Sequence, residues 1–402
     1  MKLANFAYIT AIAVALAGPL QVAAQAPNHH GATHYRVISL GVPLGGSASA
    51  TAAINSEGWI GGASNLSGNL DEHAVLWLYG FPLDLGTLGG PNSAVLWPGL
   101  NDLGQTVGIS DTANTDPYGE PWSCGAFLPA SHQGHTCVGF LWQWGTMTPL
   151  PTLGGNNGFA TSINNRGQAV GWAENTYHDP TCNSQAPQVL QFEAVIWGPR
   201  PGQIRQLPPY GQDPDGAATG INDRGQVVGI SGICQNAVGN QSAAHALLWQ
   251  NGTPIDLGNL GGTAWNTPMA INNNGVVVGF SDLTGDQNGD NPNFHAFVWT
   301  RPGPMRDLRT LSGDAISEAL GVNEEGQIVG VSYAAGFSNP RAFLYQNGAM
   351  TDLNSLAPDS PLFLQVAQDI NNSGAIAGIG CVPGNCSATS PSIAFVAIPT
   401  RD

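Results

Sequence analysis

The stretch Asn272-Asn-Asn-Gly275-Val-Val-Val-Gly279 decides the fold, because its pattern N-x-x-G-x-x-x-G occurs seven times in the chain. The intervals between successive copies are 46, 63, 58, 50, 51 and 48 residues. The Asn can hydrogen-bond its own backbone and the first Gly can take a positive φ, as a tight hairpin requires. Seven structural repeats are therefore predicted, and they begin at Asn55, Asn101, Asn164, Asn222, Asn272, Asn323 and Asn371.

Four short apolar segments recur around each copy, as in residues 269–272, 275–281, 295–299 and 304–308. They are rich in β-branched or aromatic residues and bounded by Gly, Asn or Pro, which is typical of strands. The last repeat lacks a fourth segment, and residues 35–41 resemble the missing one. The sequence therefore predicts an all-β, seven-bladed β-propeller of four-stranded antiparallel blades, whose N-terminal strand completes the last blade and removes a free sheet edge.

The predicted domains are a signal peptide over residues 1–24, a disordered segment over 25–34 and a propeller over 35–399. Lys2 followed by the apolar residues 6–20 is typical of a secretory signal, with cleavage after Ala24 or Ala26. An uncleaved membrane anchor is the alternative. The protein is expected to be secreted or periplasmic. The blades are expected at about 47–90, 93–152, 158–208, 216–258, 264–309, 315–354 and 362–399 plus 35–41.

The composition excludes several classes of partner. The chain has 11 Lys and Arg against 27 Asp and Glu, a net charge of -16, and a single lysine, Lys2. Nucleic acids and anionic membrane surfaces are therefore poor partners. The sequence contains no run of 18 or more apolar residues, which a membrane-spanning helix would need. An extracellular glycan or protein is therefore the expected ligand, and the protein itself is expected to be a monomer.

The chain also resembles a known family in two of its segments. Strands such as His295-Ala-Phe297, together with the motif D-L-G-x-L-G-G at residues 84–90 and 256–262, resemble the HAF-type extracellular repeat. The resemblance covers about the whole mature chain and implies a secreted bacterial repeat protein, without catalytic residues to carry over. The third, sixth and seventh repeats depart from the D-L-G form.

Strand parity predicts which loops share a face. With four antiparallel strands A to D in each blade, the B–C and D–A connections lie on one face and the A–B and C–D hairpins on the other. The B–C loops carry every long insertion, so a binding site is expected there. They also contain all six cysteines. Their placement favours three disulfides among the 15 pairings, with a Cys/His metal cluster as the alternative; these are Cys124–Cys137, Cys182–Cys234 and Cys381–Cys386.

Residues that recur in the repeats are expected to serve the scaffold. The strand-C aromatics are predicted to pack between blades, and they are Trp77, Trp142, Trp197, Trp249, Trp299 and Tyr345. The histidines that open strand C (His73, His245, His295) are expected to face solvent. The recurring Asp of strand D is expected to cap a turn, at Asp84, Asp256, Asp307 and Asp352.

Aromatic residues that the repeat does not explain are candidates for ligand binding on the long-loop side. Exposed rings next to Asp and Asn suit stacking on sugars or gripping a peptide. The alternative is that each ring packs under its own insertion. The candidates are Tyr118, Trp122, Trp172, Tyr177 and Trp265.

One insertion resembles a calcium loop in part. Asp286, Asn288 and Asp290 offer oxygen ligands at alternate positions, and Asp282 could add another. The glycine and the closing Glu of an EF-hand are missing, so an ordinary surface loop is the alternative.

Motifs of catalysis are absent from the sequence, which has no H-E-x-x-H, G-x-S-x-G or C-x-x-C. His178 and Asp179 are the best candidates for a general base. The favoured function is an extracellular binding module with carbohydrate as its ligand. A polysaccharide hydrolase or lyase on the same face and a structural envelope or matrix protein are the alternatives, and enzymatic activity is left open.

Overall fold

The computed structural model describes residues 34–120, 124–129, 134–182, 188–234, 241–285, 293–387 and 390–400. In this part of the chain, seven four-stranded antiparallel sheets lie around one axis, which confirms the predicted seven-bladed β-propeller. The repeat Asn residues of all seven blades surround a common axial opening. Residues 1–33, which include the predicted signal peptide, lie outside the described residues.

The strands of each blade follow one another in sequence from the axis outwards. Blade 1 consists of β2 (Gly45–Ile54), β3 (Ile60–Leu66), β4 (Glu72–Leu78) and β5 (Phe81–Asp84). Blade 2 consists of β6 (Gly89–Ala94), β7 (Thr106–Thr115), β8 (His135–Gln143) and β9 (Thr146–Pro149). Blade 3 consists of β10 (Gly158–Ile163), β11 (Ala169–His178), β12 (Leu190–Trp197) and β13 (Ile204–Gln206). Blade 4 consists of β14 (Asp215–Ile221), β15 (Val227–Gly232), β16 (His245–Gln250) and β17 (Thr253–Asp256). Blade 5 consists of β18 (Gly261–Ile271), β19 (Val277–Leu283), β20 (Phe294–Trp299) and β21 (Arg306–Arg309). Blade 6 consists of β22 (Ile316–Val322), β23 (Ile328–Ala334), β24 (Ser338–Gln346) and β25 (Ala349–Asp352).

The seventh blade joins the two ends of the propeller. It consists of β26 (Phe363–Ile370), β27 (Ile376–Cys381), β28 (Ile393–Thr400) and, outermost, β1 (His34–Gly41). β1 pairs antiparallel with β28, with Val37 opposite Ala397, so the N-terminal strand completes the last blade as predicted. His34, predicted to belong to the disordered segment, is the first residue of this strand.

The Asn of the repeat also connects each blade to the next, a role that sequence reasoning did not foresee. Within its turn, Asn55 Oδ1 accepts hydrogen bonds from the N–H groups of Glu57 and Trp59 at 3.1 and 2.8 Å, as predicted. Its Nδ2 donates to the carbonyl of Asn101 in blade 2, at 3.2 Å. The same bond recurs at every blade, and Asn371 Nδ2 donates back to Asn55 O at 3.0 Å. Seven amide hydrogen bonds thus close a ring around the axis.

Breaking this ring at one blade is expected to destabilise the fold. Asn222 is buried, and Asn222→Ala removes the acceptor for two backbone N–H groups and the donor to Asn272 O. We expect the free energy of unfolding to fall by about 2 kcal/mol, because buried polar groups lose their partners. Arg224→Ala, an exposed residue of the same turn, is the matched control for urea unfolding. Equal stability of the two variants would contradict the role of the ring.

The strand-C aromatics form the predicted packing between blades. Trp77, Trp197, Trp249 and Trp299 are buried, and Trp142 and Tyr345 are partly buried. The indole N–H of Trp197 donates to Pro151 O at 2.8 Å, in the segment that leads from blade 2 to blade 3. These rings therefore join neighbouring blades by packing and, in this case, by a hydrogen bond.

All three predicted disulfides are present. Cys124 is bonded to Cys137, Cys182 to Cys234 and Cys381 to Cys386. The second bond links the B–C loops of blades 3 and 4. Disulfides of this kind persist in oxidising compartments, so they indicate that the protein functions in one. Among the described residues, no helix has the length and apolar character needed to cross a membrane.

Candidate functional site

We call the side of the ring that carries the loops between the second and third strands of each blade the long-loop face, and the opposite side the hairpin face. On the long-loop face, blades 2 and 3 extend furthest along their second strands. β7 and β11 are each ten residues long, whereas β15 in blade 4 has six. The loops after β7 and β11 therefore begin beyond the ends of the neighbouring strands, and they carry several of the candidate residues.

Two of the predicted aromatic residues are exposed here, one in the loop after β7 and one at the end of β11. Tyr118 is 46% and Tyr177 is 56% exposed. Tyr118 contacts the ring of His178 edge-on, with centroids 5.2 Å apart, and its hydroxyl lies 3.4 Å from His178 Nε2. Two Asx turns hold these residues, since Asp116 Oδ1 accepts from Tyr118 N–H and Asn175 Oδ1 from Tyr177 N–H. The fold thus brings Tyr118 and His178, 60 residues apart, into one surface cluster.

An acidic cavity of about 220 Å³ lies in the loop of blade 2. We call it the blade-2 cavity. Its polar lining includes Asp111, Asp116, Glu120 and His135, and its apolar lining includes Leu128 beside the Cys124–Cys137 disulfide. The cavity is smaller than the ~300–1,000 Å³ typical of drug-sized ligand sites, so it suits one small chemical group.

Glu120 is the most unusual residue of the blade-2 cavity. It is only 2% exposed, and burial, with the nearby charges of Glu174 and Asp116, raises its pKa from 4.5 to about 7. Its Oε1 accepts hydrogen bonds from the N–H groups of Val189 and Leu190 at 2.7 and 2.6 Å. Among the described residues, its Oε2 has no hydrogen-bond partner. A buried carboxylate oxygen in this state is a strong acceptor without a donor.

A second group of buried carboxyls lies between blades 3 and 4. Asp215 is fully buried, and burial together with a hydrogen bond to Asp179 raises its pKa to about 10. Glu193 is also buried, and its pKa is raised to about 7, mainly by desolvation. Asp179 Oδ1 accepts from the N–H and hydroxyl of Thr181. The carboxyl of Asp215 is therefore protonated at neutral pH.

The predicted general base, His178 with Asp179, is not supported by this geometry. The two residues are adjacent in sequence but have different surroundings. His178 contacts Tyr118 at the surface, whereas Asp179 is buried beside Asp215 and Thr181. The imidazole therefore lies at the surface and the carboxylate in the core, and the general base stays a prediction.

The predicted tryptophans differ from the tyrosines. Trp172 is only 3% exposed and packs between Phe159 and Phe192, with centroids 6.5 and 6.2 Å away. The expectation of an exposed ring there is wrong, because the ring fills the core beneath the loops. Trp265 is partly buried against Phe280 and Phe294, which corresponds to the alternative of packing under its own insertion. Trp122 lies outside the described residues.

The candidate calcium loop is only partly described. Asp286, Asn288 and Asp290 lie outside the described residues. Asp282 is buried, and its Oδ2 accepts from Trp265 N–H at 2.7 Å, so it holds the start of its own blade. Among the described parts of the chain, no group of three or more His, Cys, Asp or Glu has the arrangement to hold a metal ion.

The strand-C histidines do not simply face solvent, as expected, but pair with the recurring Asp of strand D. His73 Nδ1 lies 2.9 Å from Asp84, and His295 Nδ1 lies 3.0 Å from Asp307. His245 instead pairs with Asp213 at 2.8 Å, and this hydrogen bond raises its pKa. The strand-D Asp residues also cap the following turn, since the N–H groups of Gly86, Gly258 and Arg309 donate to Asp84, Asp256 and Asp307. The predicted turn-capping role is confirmed.

The hairpin face carries exposed rings that sequence reasoning missed. Trp144 and Tyr79 are 84% and 66% exposed. They occupy the left-handed turn position that Asn251 and Asn347 occupy in blades 4 and 6, with φ between 52° and 54°. A bulky side chain is disfavoured there. The signal was present in the sequence, because an aromatic residue stands before the turn glycine in place of Asn.

The comparisons with known proteins give a likeness of shape only. No protein-family model matches the chain, and no curated protein matches it. It is similar to the acylaminoacyl peptidase of Pyrococcus horikoshii, with 12% identity and a TM-score of 0.41 over 82% of this chain and 50% of the peptidase. It is also similar to an acylaminoacyl peptidase in complex with Z-Gly-Gly-Phe-chloromethyl ketone, with 12% sequence identity and a TM-score of 0.40 over 83% of this chain and 50% of that chain.

A third solved structure gives a similar result. Dipeptidyl peptidase 4 of Porphyromonas gingivalis shares 11% identity with a TM-score of 0.38, over 81% of this chain and 46% of that chain. The chain spans about half the length of the peptidases it matches. The protein is a seven-bladed β-propeller, and a likeness of this size says nothing about what it binds.

Proposed function

We propose that the protein is a secreted binding module that holds an extracellular carbohydrate on the long-loop face, at blades 2 and 3. The observation that carries the proposal is the surface cluster of Tyr118 and His178, with Tyr177 exposed at the adjacent position of the chain, beside the blade-2 cavity that Asp116 lines. Exposed rings offer flat apolar surfaces to sugars, and nearby carboxylates accept hydrogen bonds from hydroxyl groups. Resemblance to the HAF-type repeats and the predicted signal peptide support export from the cytoplasm.

The chemistry of this surface favours a glycan over an anionic ligand. The chain carries a net charge of -16, and Asp111, Asp116 and Glu120 concentrate negative charge at the cavity. A phosphate or sulfate group would be repelled there. A hydroxyl-rich ligand can donate to these carboxylates and stack on the tyrosines.

Replacing the two exposed tyrosines is expected to abolish most binding without loss of stability. The mature protein is applied to an array of bacterial and plant polysaccharides, in calcium and in EDTA. We expect Tyr118→Ala/Tyr177→Ala to weaken the best binding about tenfold, because two contact rings are lost. Since both rings are half exposed, the thermal midpoint should stay unchanged.

Trp144→Ala is the matched control, because it removes a still more exposed ring from the hairpin face. Loss of binding in this control and not in the tyrosine variant would contradict the site. Binding lost in EDTA would support the calcium loop at Asp286. Soluble products released from the bound polysaccharide would favour the hydrolase or lyase alternative, and no saturable binding to any glycan would overturn the carbohydrate proposal.

A further inference from the structure

We infer that the blade-2 cavity binds a primary ammonium group, and that the glycan held by this protein is an amino sugar polymer with free amines. This inference rests on the proposed function and names the ligand class of the same site. It is carried by three features of the cavity: an unsatisfied buried oxygen, an excess of carboxylates, and a shape with apolar walls.

The first feature is the buried carboxylate of Glu120. Oε1 is saturated by the N–H groups of Val189 and Leu190, and these two bonds fix the orientation of the side chain. Oε2 has no donor within the described residues, although Glu120 is only 2% exposed and lines the cavity. Leaving such an oxygen unpaired costs free energy, which a ligand N–H donor recovers.

The second feature is the sign of the charge. Asp111, Asp116 and Glu120 line the cavity, and the described lining contains no Arg or Lys. Asp116 accepts hydrogen bonds from the N–H groups of Tyr118 and Glu120 in its own loop. These two bonds hold its carboxylate next to the cavity. His135 Nδ1 donates to Thr112 O at 2.8 Å, which commits one ring nitrogen to the scaffold. A positive ligand therefore supplies the charge that the lining does not.

The third feature is the size and the apolar part of the lining. A volume of about 220 Å³ is several times the ~30 Å³ that one water molecule occupies in the liquid. Leu128, Pro129 and the Cys124 half of a disulfide form part of the wall. A bare metal ion would leave most of this space and the apolar wall without contacts. An organic ammonium ion fills both, with its nitrogen at the carboxylates and its carbon atoms against Leu128.

The exposed aromatic cluster explains why the amine would belong to a sugar. The Asx turn of Asp116 joins a cavity-lining carboxylate to Tyr118, two residues further along. A sugar ring stacked on Tyr118 could thus direct an amino substituent towards Asp116 and Glu120. The carbohydrate surface and the acidic cavity then form one site.

The test compares two probes of equal length, chitosan oligosaccharides with free amines and their fully N-acetylated counterparts. Titrations are done by calorimetry in about 0.3 M salt, where surface charges are screened beyond roughly 6 Å, because a protein of net charge -16 attracts any polycation. We expect the free-amine probe to bind about tenfold to a hundredfold more tightly, the range of a charge-assisted hydrogen bond. Glu120→Gln should remove this preference, since a neutral amide keeps an acceptor at Oε1 but loses the charge.

Asp102→Asn on the hairpin face is the matched control, because it removes one carboxylate away from the cavity and should leave the preference intact. Glucosamine monomer should compete with the free-amine probe on the unaltered protein, which keeps the test independent of any variant. Equal affinity for the two probes would overturn the inference while leaving carbohydrate binding in place. Failure to bind either probe, together with silence on the polysaccharide array, would overturn the proposed function as well. Calcium binding that is lost in Glu120→Gln, without competition by glucosamine, would replace the amine site by a cation site.

Discussion

The variant Val37→Asp is expected to lower the free energy of unfolding by about 5 kcal/mol and to make the protein prone to aggregation. Val37 lies in the N-terminal strand β1, opposite Ala397 of β28. It is buried in a cluster with Tyr35, Phe395 and Ala397. An aspartate there loses apolar burial and places an unpaired charge in the core, which together cost this much. Loosening β1 would also expose the backbone edge of β28 to other chains.

The matched control for this prediction is Ser39→Asp in the same strand. Ser39 lies two residues beyond Val37, near the end of β1, and its side chain is exposed. Its hydroxyl accepts from Gly41 N–H at 3.3 Å, and an aspartate can accept the same bond. Chemical unfolding and light scattering of the two variants measure the difference. If Val37→Asp unfolds at the same denaturant concentration as Ser39→Asp, the N-terminal strand does not hold the ring closed.

The fold could be predicted because its determinants recur in the sequence. Asn, Gly and Trp at fixed spacing specify the turns and the core of each blade, and the position of the last incomplete repeat indicates how the ring closes. The disulfides followed from the same reasoning, because strand order alone brought the cysteine loops of one face together. The inter-blade bond of each turn Asn was missed because one turn examined alone already satisfies the side chain through Oδ1.

Some errors about the site came from an incomplete comparison of the repeats. Trp172 directly follows the second glycine of its motif, where the other blades have Ala63, Ile109, Ile230, Phe280, Val331 and Ile379. That position is apolar in every blade, so burial of Trp172 was predictable. Asp282 likewise aligns with Asp111 and Glu174, three residues after the second glycine. All three accept hydrogen bonds at the start of their own blades, which explains an acidic residue there without a metal.

The blade-2 cavity could not be predicted from the sequence. Two of its carboxylates, Asp116 and Glu120, lie in an insertion with no counterpart in other blades, and the contact of Glu120 with Val189 and Leu190 joins residues about 70 positions apart. No periodic pattern records a contact between two irregular loops. The pairing of Tyr118 with His178 has the same origin, since each residue looks like an isolated loop residue until blades 2 and 3 lie side by side.

The stability of the protein is expected to fall by on the order of 10 kcal/mol as the pH rises from 5 to 8. Burial raises the pKa of Glu120 and Glu193 from 4.5 to about 7, and burial with the hydrogen bond to Asp179 raises the pKa of Asp215 to about 10. The folded state therefore binds protons more tightly than the unfolded state. The stabilisation that these groups provide is complete at pH values below the ordinary pKa of a carboxyl group, and it decreases as the pH rises through about 7.

Other groups with a shifted pKa either also lower the stability as the pH rises or change their contribution outside the interval from pH 5 to 8. The hydrogen bond that His245 donates to Asp213 raises the pKa of His245, so its contribution is also lost as the pH rises. Burial alone would raise the pKa of Asp307, but hydrogen bonds from His295 and from Arg309 N–H lower it overall. Its contribution is lost only as the pH falls below the ordinary range of aspartate, outside the interval from 5 to 8.

Asp215→Asn tests the largest of these contributions. The amide can donate to Asp179 as the protonated carboxyl does, but it does not titrate, so it removes a slope of about 1.4 kcal/mol per pH unit. We expect the variant to match the natural protein near pH 4 and to exceed it in stability increasingly from pH 5 to pH 8. Asp256→Asn, at an exposed turn where the amide oxygen can still accept from Gly258 N–H, changes the charge of the unfolded chain equally and should leave the slope unchanged. A profile of unfolding midpoints that is flat or rises towards alkaline pH would show that the carboxyls between blades 3 and 4 are ionised in the folded protein.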